Sequence, residues 1–152
     1  MGDAMTDPGY DGDPIVVESG DFAGWSVWSM AETFGGSSGP FHFREDGENT
    51  RCAVRIEKRH LNRVGAAHGG FLTTFADVSL YMMTRRARGG AQAVTVSLNA
   101  EFVGAAFEGD VLVMTGEIVR AGGSLIFLRG VAAVGERPVL MFSGVLKRLG
   151  KR

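Results

Sequence analysis

The sequence predicts an α+β fold in which one long helix packs against an antiparallel sheet of about six strands. Apolar residues between His68 and about Arg88 recur at helical spacing around most of the circumference, as in a buried helix. After Gly90, four apolar segments follow one another, three of them joined by tight turns. A single helix against an antiparallel sheet gives α+β layer packing, with one sheet face left uncovered for a partner chain.

The remaining elements are shorter. Residues 1–18 are acidic and predict a flexible tail, so a single domain is expected over residues 19–152. Aromatic residues at near-helical spacing then predict a short helix, which glycines would end. The aromatic residues are Phe22, Trp25 and Trp28, and the glycines are Gly35 and Gly36. Two strands, PFHFRED and TRCAVRIEKR, are expected around the turn GEN.

Alternation sets the expected faces of the strand after the helix. The segment AVTVSLNAEFV predicts one apolar and one polar face. The apolar face would hold Val94, Val96, Leu98, Ala100 and Phe102; the polar face would hold Thr95, Ser97, Asn99 and Glu101.

Composition excludes several classes of protein. The chain has 152 residues, 45% hydrophobic and 22% charged, with a net charge of −1, so no global field attracts nucleic acid. No apolar run approaches a membrane span, and the acidic N-terminus does not resemble a signal peptide. The single cysteine, Cys52, fits a reducing cytoplasm and is interpreted as core packing. Metal-ligand motifs are absent, and no cofactor is expected.

The start of the long helix is a candidate site. Gly69 and Gly70 lie at its expected first turn, where backbone amides lack internal partners and the dipole is positive. Such amides can stabilise an oxyanion, and glycine permits close approach. A tight turn that merely needs glycine explains the pair equally well. His68 precedes the amides, so we interpret it as a brace for them.

Asp77 is the second candidate. A carboxylate inside an apolar helix is costly unless it is paired, hydrogen-bonded or open to water. An ion pair with Arg85, Arg86 or another arginine is one interpretation, and a base that activates water is the other. Asn62 either holds a turn or donates to a carbonyl, and Thr95 is either a surface residue or orients water.

Helix geometry separates these candidates. Gly69 and Asp77 are about 12 Å apart along the axis at ~1.5 Å per residue, and they point about 80° apart. One helix therefore cannot bring both to one carbonyl. If they serve one site, a second subunit supplies Asp77, and a two-fold dimer has two such sites.

The pattern N-x5-H-G-G-x6-D, formed by Asn62, His68, Gly69, Gly70 and Asp77, resembles the signature of hotdog-fold acyl-CoA thioesterases. Within that group, the chain is similar to the phenylacetate-pathway, or PaaI-like, branch. The likeness covers roughly residues 40–149, including the order of the strands and the single long helix.

The resemblance implies a mechanism. It implies that the helix lies inside a curved sheet and that two subunits join edge to edge, commonly as a dimer of dimers. The Gly69 amide and Asn62 would polarise the thioester carbonyl, and Asp77 of the other subunit would activate water with help from Thr95. A covalent acyl-Asp77 intermediate is the alternative.

CoA phosphates need local cations or backbone donors. The candidates for the phosphates are Arg63, Arg85, Arg86, Arg88 and Arg120. The hairpin residues Gly123 and Ser124 match a family segment near the pantetheine. Trp25, Trp28 and Phe34 are candidates for the wall of the acyl pocket, although core packing explains them equally well.

Two other functions stay open at this point. A hotdog protein that binds acyl-CoA without cleaving it is the first alternative, although it would be expected to lose Asp77. A hydratase or dehydratase is the second, but His60 has no obvious acidic partner. The acyl group and the choice between CoA and acyl carrier protein are not predicted.

Overall fold

A computed structural model describes residues 14–28 and 33–150. The sheet has eight strands rather than about six, because two short strands precede those predicted. The strands are β1 Ile15–Val16, β2 Ser26–Val27, β3 His42–Asp46, β4 Asn49–Arg55, β5 Ala93–Phe102, β6 Val111–Ala121, β7 Leu125–Val134 and β8 Arg137–Arg148. The helices are α1 Phe34–Ser38, α2 Gly69–Met83 and α3 Arg85–Arg88, with a 3₁₀ turn at Lys58–His60.

All neighbouring strands pair antiparallel, in the order β1-β2-β3-β4-β6-β7-β8-β5. The predicted strands around the GEN turn and the three hairpin-connected strands at the end of the chain are confirmed. Strand β5 follows α2 in the chain but lies at the edge of the sheet beside β8. An edge strand has unpaired backbone groups, so β5 is free to pair with another chain.

The N-terminal part of the chain differs from the sequence-based expectation. Ile15–Val16 pair with Ser26–Val27, so a strand ladder crosses the boundary predicted at residue 18. Ser26–Val27 form an extended strand, so the predicted helix through Trp25 and Trp28 is wrong. Most of the predicted tail, and residues 29–32 of the predicted helix, lie outside the described residues.

The aromatic spacing reflects packing rather than a helix. Trp28 stacks on Phe43 with ring centroids 4.4 Å apart, while Trp25 lies beneath the guanidinium of Arg44 at 4.7 Å. Gly35 and Gly36 do not end a helix but lie within α1, which begins where the Thr33 hydroxyl accepts the Gly36 amide.

The long helix is buried as predicted, but it ends earlier. The Thr84 hydroxyl donates to the backbone carbonyls of Leu80 and Tyr81 in the preceding turn. Because such side-chain bonds distort a helix, α2 ends at Met83 and α3 follows. Gly89, at φ 59°, then ends α3, as predicted.

The core lies between α2 and the sheet. The helix residues Phe75, Ala76 and Leu80 are fully buried, and apolar residues of β4, β6, β7 and β8 pack against them. Gly144 of β8 allows the close approach, because a Cβ there would lie 2.6 Å from a methyl of Leu80.

We expect Gly144→Ala to destabilise the protein by about 1–3 kcal/mol, since overpacking a filled core forces neighbours off their rotamers. Leu80 is fully buried and has nowhere to move. Urea unfolding measures the loss. Gly123→Ala is the matched control, since a Cβ at Gly123 meets nothing within 4 Å. Equal stability of the two variants would contradict the close-approach explanation.

Candidate active site

In the first turn of α2, the Gly69 amide has no hydrogen-bond acceptor within the described ranges. His68 is the N-cap residue, and its Nδ1 accepts the Gly70 amide at 2.8 Å. The His68 amide in turn donates to the His60 carbonyl at 2.8 Å. The brace predicted for His68 is therefore present, and it orients the turn so that Gly69, rather than Gly70, offers a hydrogen-bond donor.

Asn62 holds the loop that leads to this turn. Its Oδ1 accepts the amides of Val64 at 3.0 Å and Ala66 at 3.1 Å. The side-chain NH₂ group has no acceptor among residues 14–28 and 33–150. The two interpretations of Asn62 are therefore compatible, because the oxygen fixes the turn while the nitrogen stays available to a ligand carbonyl.

The His60 side chain packs beside the first turn of α2 and is held by backbone hydrogen bonds. Its Nδ1 accepts the Glu57 amide at 3.0 Å, its Nε2 bonds the Ser38 carbonyl at 2.7 Å, and its ring stacks on Phe71 with centroids 3.9 Å apart. An Nδ1 that accepts an amide and an Nε2 facing a carbonyl require the neutral ring with its proton on Nε2. Burial lowers the pKa of His60, and the nearby Arg59 guanidinium lowers it further, although the Ser38 carbonyl and Glu57 oppose the shift.

Because these hydrogen bonds require the neutral ring, the contribution of His60 to the stability of the protein depends on pH. Because its folded pKa lies below the unfolded value of about 6.5, the stabilisation is fully present above pH ~6.5 and is lost as the pH falls through the folded pKa. We expect His60→Gln to destabilise the protein by about 1–3 kcal/mol at pH 7.5, and by less at pH 5.5. Urea unfolding at both values measures the difference. A constant penalty would contradict this account.

Asp77 receives a hydrogen bond from Thr95. The Thr95 hydroxyl donates to Asp77 Oδ1 at 2.7 Å, and both side chains are exposed. The ion-pair interpretation of Asp77 is wrong, because Arg85 and Arg86 lie 3.9 and 3.2 Å from Glu45 and no cation pairs with Asp77 in the described part of the chain. The free Oδ2 can accept a proton from water.

A β-bulge aims Thr95 at the helix. The register between β5 and β8 passes from Thr95 opposite Leu146 to Ser97 opposite Val145, so Val96 is an extra residue. Before the bulge Thr95 faces α2, and after it Leu98 and Ala100 do so. The predicted assignment of Thr95 and Leu98 to opposite faces is therefore wrong, because one inserted residue reverses the alternation.

The open amide and the carboxylate lie at opposite ends of β5. A Cβ built on Gly69 would lie 3.4 Å from the Phe102 ring, whereas Asp77 bonds Thr95. Thr95 and Phe102 are seven positions apart, roughly 20 Å at about 3.3 Å per residue. The separation predicted from helix geometry is therefore present within one subunit.

Some of the candidate arginines are hydrogen-bonded within the fold, and others have exposed side chains. Arg88 is buried, and its guanidinium donates to the Thr84 hydroxyl, the Ala91 carbonyl and the Tyr81 carbonyl. These bonds hold the Arg88 side chain within the fold, so its predicted role in substrate binding has no support from its contacts. Arg63 is exposed on the Asn62 loop, and Arg120 is exposed near the end of β6.

Arg148, which the sequence did not predict as part of the site, holds the hairpin that contains Gly123 and Ser124. Its guanidinium donates to the carbonyls of Gly122 and Gly123, and also to the Ala87 carbonyl at 2.6 Å. The Ser124 carbonyl accepts a hydrogen bond from the Arg148 amide at 2.8 Å. The hairpin therefore lies against the end of α3, although in the sequence Arg148 belongs to a basic C-terminal run that gives no such signal.

Cys52 is not a nucleophile at neutral pH. Burial raises the pKa of its thiol to about 12. The described residues contain no group of three or more His, Cys, Asp or Glu side chains that could hold a metal ion. None of the helices in the described ranges is long and apolar enough to span a membrane.

The sequence and the fold are similar to those of known proteins. The family model described as Thioesterase superfamily matches residues 64–138. A Pseudomonas aeruginosa protein named "Putative esterase PA0474" is 38% identical over 109 residues, which cover 70% of this chain and 81% of the relative. The chain belongs to the thioesterase superfamily.

Further similarities agree with this membership. Mouse acyl-coenzyme A thioesterase 13 is 31% identical over 80 residues, which cover 53% of this chain and 57% of that protein. The Escherichia coli PaaI protein from the phenylacetic acid degradation operon superposes with a TM-score of 0.70 at 20% identity, over 78% of this chain and 86% of PaaI. The predicted PaaI-like hotdog fold is confirmed, and this member of the thioesterase superfamily is a thioester hydrolase.

Proposed function

We propose that this protein hydrolyses acyl-CoA thioesters to the free acid and CoA in a site shared by two subunits. The observation that carries the proposal is the separation of an open amide at Gly69 from a hydrogen-bonded carboxylate at Asp77. Each half is incomplete for hydrolysis, because one can stabilise an oxyanion and the other can activate water. A partner subunit that supplies the missing half completes the site.

Strand β5 offers the surface for this partner. It is an edge strand, and it exposes the apolar residues Val94, Val96 and Phe102. If β5 pairs antiparallel with its own copy so that Thr95 lies opposite Phe102 of the partner subunit, the two-fold axis falls between Leu98 and Asn99. This register brings Asp77 towards the partner's Gly69, and by symmetry it does so at both sites.

The reaction follows from these groups. The thioester carbonyl oxygen accepts hydrogen bonds from the Gly69 amide and the Asn62 NH₂ group. Asp77 of the partner subunit, oriented by Thr95, takes a proton from water as the oxygen attacks the carbonyl carbon. The tetrahedral oxyanion collapses, the carbon–sulfur bond breaks, and Asp77 returns the proton to the departing thiolate. The products are a carboxylic acid and free CoA.

The CoA moiety would lie along groups at the surface of the dimer. Arg63 is exposed beside Asn62 and can meet a phosphate. Gly123 and Ser124 are exposed in the hairpin that Arg148 fixes, and their backbone amides suit the pantetheine. The Gly70 amide is occupied by His68, so we assign Gly70 to the wall of the site rather than to a hydrogen bond with substrate.

We further propose that two dimers pair through the sheet face opposite α2. Met141 is 45% exposed and Phe127 is 39% exposed on that face, where the Glu117–Arg129 ion pair also lies. Burial of these apolar side chains would favour a dimer of dimers. We assign the protein to the cytoplasm, since its single buried thiol suits a reducing compartment.

Release of free thiol from aromatic and aliphatic acyl-CoAs tests the proposed reaction. We expect the wild-type protein to release CoA, and the preferred acyl group to identify the substrate. Binding of acyl-CoA without any release would contradict hydrolysis and favour the non-catalytic acyl-CoA binder. Analytical ultracentrifugation of the same sample tests the shared site, because a fully active monomer would exclude it.

A further inference from the structure

His60 is a buried titratable residue that takes no part in the proposed proton transfer. The residue is 4% exposed, and it lies immediately before the loop of residues 61–67, which carries Asn62. Gly69 lies just after this loop, at the first position of α2. The two groups that would hold the thioester carbonyl, the Asn62 NH₂ group and the Gly69 amide, therefore belong to one short stretch of chain that begins at His60.

A backbone hydrogen bond at His60 closes this loop. The His68 amide donates to the His60 carbonyl at 2.8 Å, and within the loop the Asn62 amide donates to the Ala66 carbonyl at 2.7 Å. These bonds fix the two ends of the loop relative to each other. The position of His60 therefore sets the positions of Asn62 and of the residue that precedes Gly69.

The His60 ring also contacts the first turn of α2 directly. It stacks on Phe71 with ring centroids 3.9 Å apart and an interplanar angle of 12°. Gly69 thus lies between two residues that both contact His60, since His68 bonds the His60 carbonyl and Phe71 stacks on the ring. Contacts on both sides of Gly69 limit the movement of this turn, so they fix the direction in which the Gly69 amide points.

Backbone groups from two other segments fix the orientation of the His60 ring. Its Nδ1 accepts the Glu57 amide at 3.0 Å, and its Nε2 donates to the Ser38 carbonyl at 2.7 Å. The His60 amide also donates to the Glu57 carbonyl at 2.9 Å. Rotation of the ring would break both side-chain bonds, so α1 and the 3₁₀ turn together hold it against Phe71.

The donors that stabilise an oxyanion must be placed accurately. A donor is effective at about 2.7–3.1 Å from the position that the oxyanion takes. A misplacement of about 1 Å lowers the rate by on the order of 10²-fold. A backbone amide has no rotamer with which to adjust, so the accuracy of the Gly69 donor depends on the residues that hold its turn.

We infer that His60 is a positioning residue for the reaction, and that its carbonyl and its ring direct the Gly69 amide and the Asn62 NH₂ group towards the thioester carbonyl. The inference rests on the proposed function, because it takes these two groups to bind that carbonyl. A purely structural His60 would contribute to the stability of the protein without affecting the turnover of the folded enzyme.

Two substitutions at His60 remove its contacts to different extents. His60→Gln loses the ring and the acceptor for the Glu57 amide but keeps a donor for Ser38, whereas His60→Leu loses both hydrogen bonds. We expect kcat to fall about tenfold in His60→Gln and about 10²-fold in His60→Leu. KM should change little, because the oxyanion forms only in the transition state. Thiol release measures both constants, and urea unfolding gives the folded fraction by which kcat is corrected.

Arg59→Met is the matched control, because Arg59 holds α1 but not the first turn of α2. Its guanidinium donates to the carbonyls of Ser37 and Gly39 and pairs with Glu57 at 2.8 Å. In the described part of the chain it makes no hydrogen bond to residues 61–71. We expect Arg59→Met to lose stability through these missing bonds while its kcat stays close to the wild-type value.

A spectroscopic measurement tests the positioning without relying on catalysis. In acetyl-dethia-CoA a methylene group replaces the sulfur of the thioester, so the carbonyl can be bound but not cleaved. Hydrogen-bond donors deshield a carbonyl carbon, and ¹³C NMR of the compound labelled at that carbon therefore reports the donors that it meets. At saturating concentration we expect a downfield shift on binding to wild type, a smaller shift with His60→Gln and the smallest with His60→Leu.

Wild-type turnover of the folded protein in both His60 variants would overturn the inference, as would equal ketone shifts in wild type and His60→Leu. An equal loss of kcat in Arg59→Met would also overturn it, because the loss would then follow the attachment of α1. If wild type releases no thiol but shifts the ketone carbon more than His60→Leu does, hydrolysis is contradicted and the positioning is supported. A wild-type protein that neither releases thiol nor shifts the ketone carbon would contradict both proposals.

Discussion

Asp77→Asn is expected to lower kcat by at least ~10²-fold, because it removes the group that takes a proton from water. The substitution preserves shape, since the asparagine Oδ1 can still accept the Thr95 hydroxyl that Asp77 accepts at 2.7 Å. Binding of substrate should change little. Thiol release under saturating acyl-CoA measures kcat directly, and calorimetric binding of a non-hydrolysable CoA thioether checks that the site is intact.

Thr95 provides the control for this prediction. Thr95→Ser keeps a hydroxyl that can orient Asp77, whereas Thr95→Val removes the hydrogen bond and keeps the shape. We expect Thr95→Ser to retain most activity and Thr95→Val to lose part of it without reaching the loss of Asp77→Asn. Near-full activity of Asp77→Asn would remove Asp77 from the reaction.

The sequence predicts most of the fold because its patterns are local. The apolar surface of α2 and the hairpin turns between β6, β7 and β8 can be recognised within short windows. The separation of Gly69 and Asp77 also follows from helix geometry alone. These features depend on residues near one another in the chain, so no tertiary information is needed.

Features that depend on distant contacts were not predictable. The bulge at Val96 reverses the faces of β5, and only pairing with β8 reveals it. Arg88 is a candidate for the CoA phosphates in the sequence, yet its side chain folds back onto Tyr81 and Thr84. His60 shows no acidic partner in the sequence because its partners are backbone groups of Glu57 and Ser38. Backbone partners leave no compositional signal.

Gly69→Pro is the second prediction with a large expected effect, and it deletes a single hydrogen-bond donor. Proline has no amide hydrogen, but it is well tolerated at the first position of a helix, which Gly69 occupies. His68 already has φ −64° and ψ 136°, a conformation that suits the residue before proline. We expect kcat to fall about 10²–10³-fold through loss of oxyanion stabilisation. Thiol release measures the loss.

Gly69→Ala is the matched control because it keeps the amide and adds a Cβ. That Cβ would lie 3.4 Å from the Phe102 ring, an ordinary contact. The alanine variant should therefore retain most activity. Equal losses in both variants would indicate that bulk at position 69, rather than the missing donor, is responsible.

Mixing Gly69→Pro with Asp77→Asn tests whether two subunits share each site. In a mixed dimer, one site carries both substitutions, while the other combines the intact Gly69 of one subunit with the intact Asp77 of its partner. Random pairing of equal amounts should restore about a quarter of wild-type activity, because half the dimers are mixed and each has one intact site. The measurement is thiol release after the two inactive proteins are unfolded together and refolded. If each subunit held a complete site, every site in the mixture would carry one substitution and activity would stay at the level of the variants.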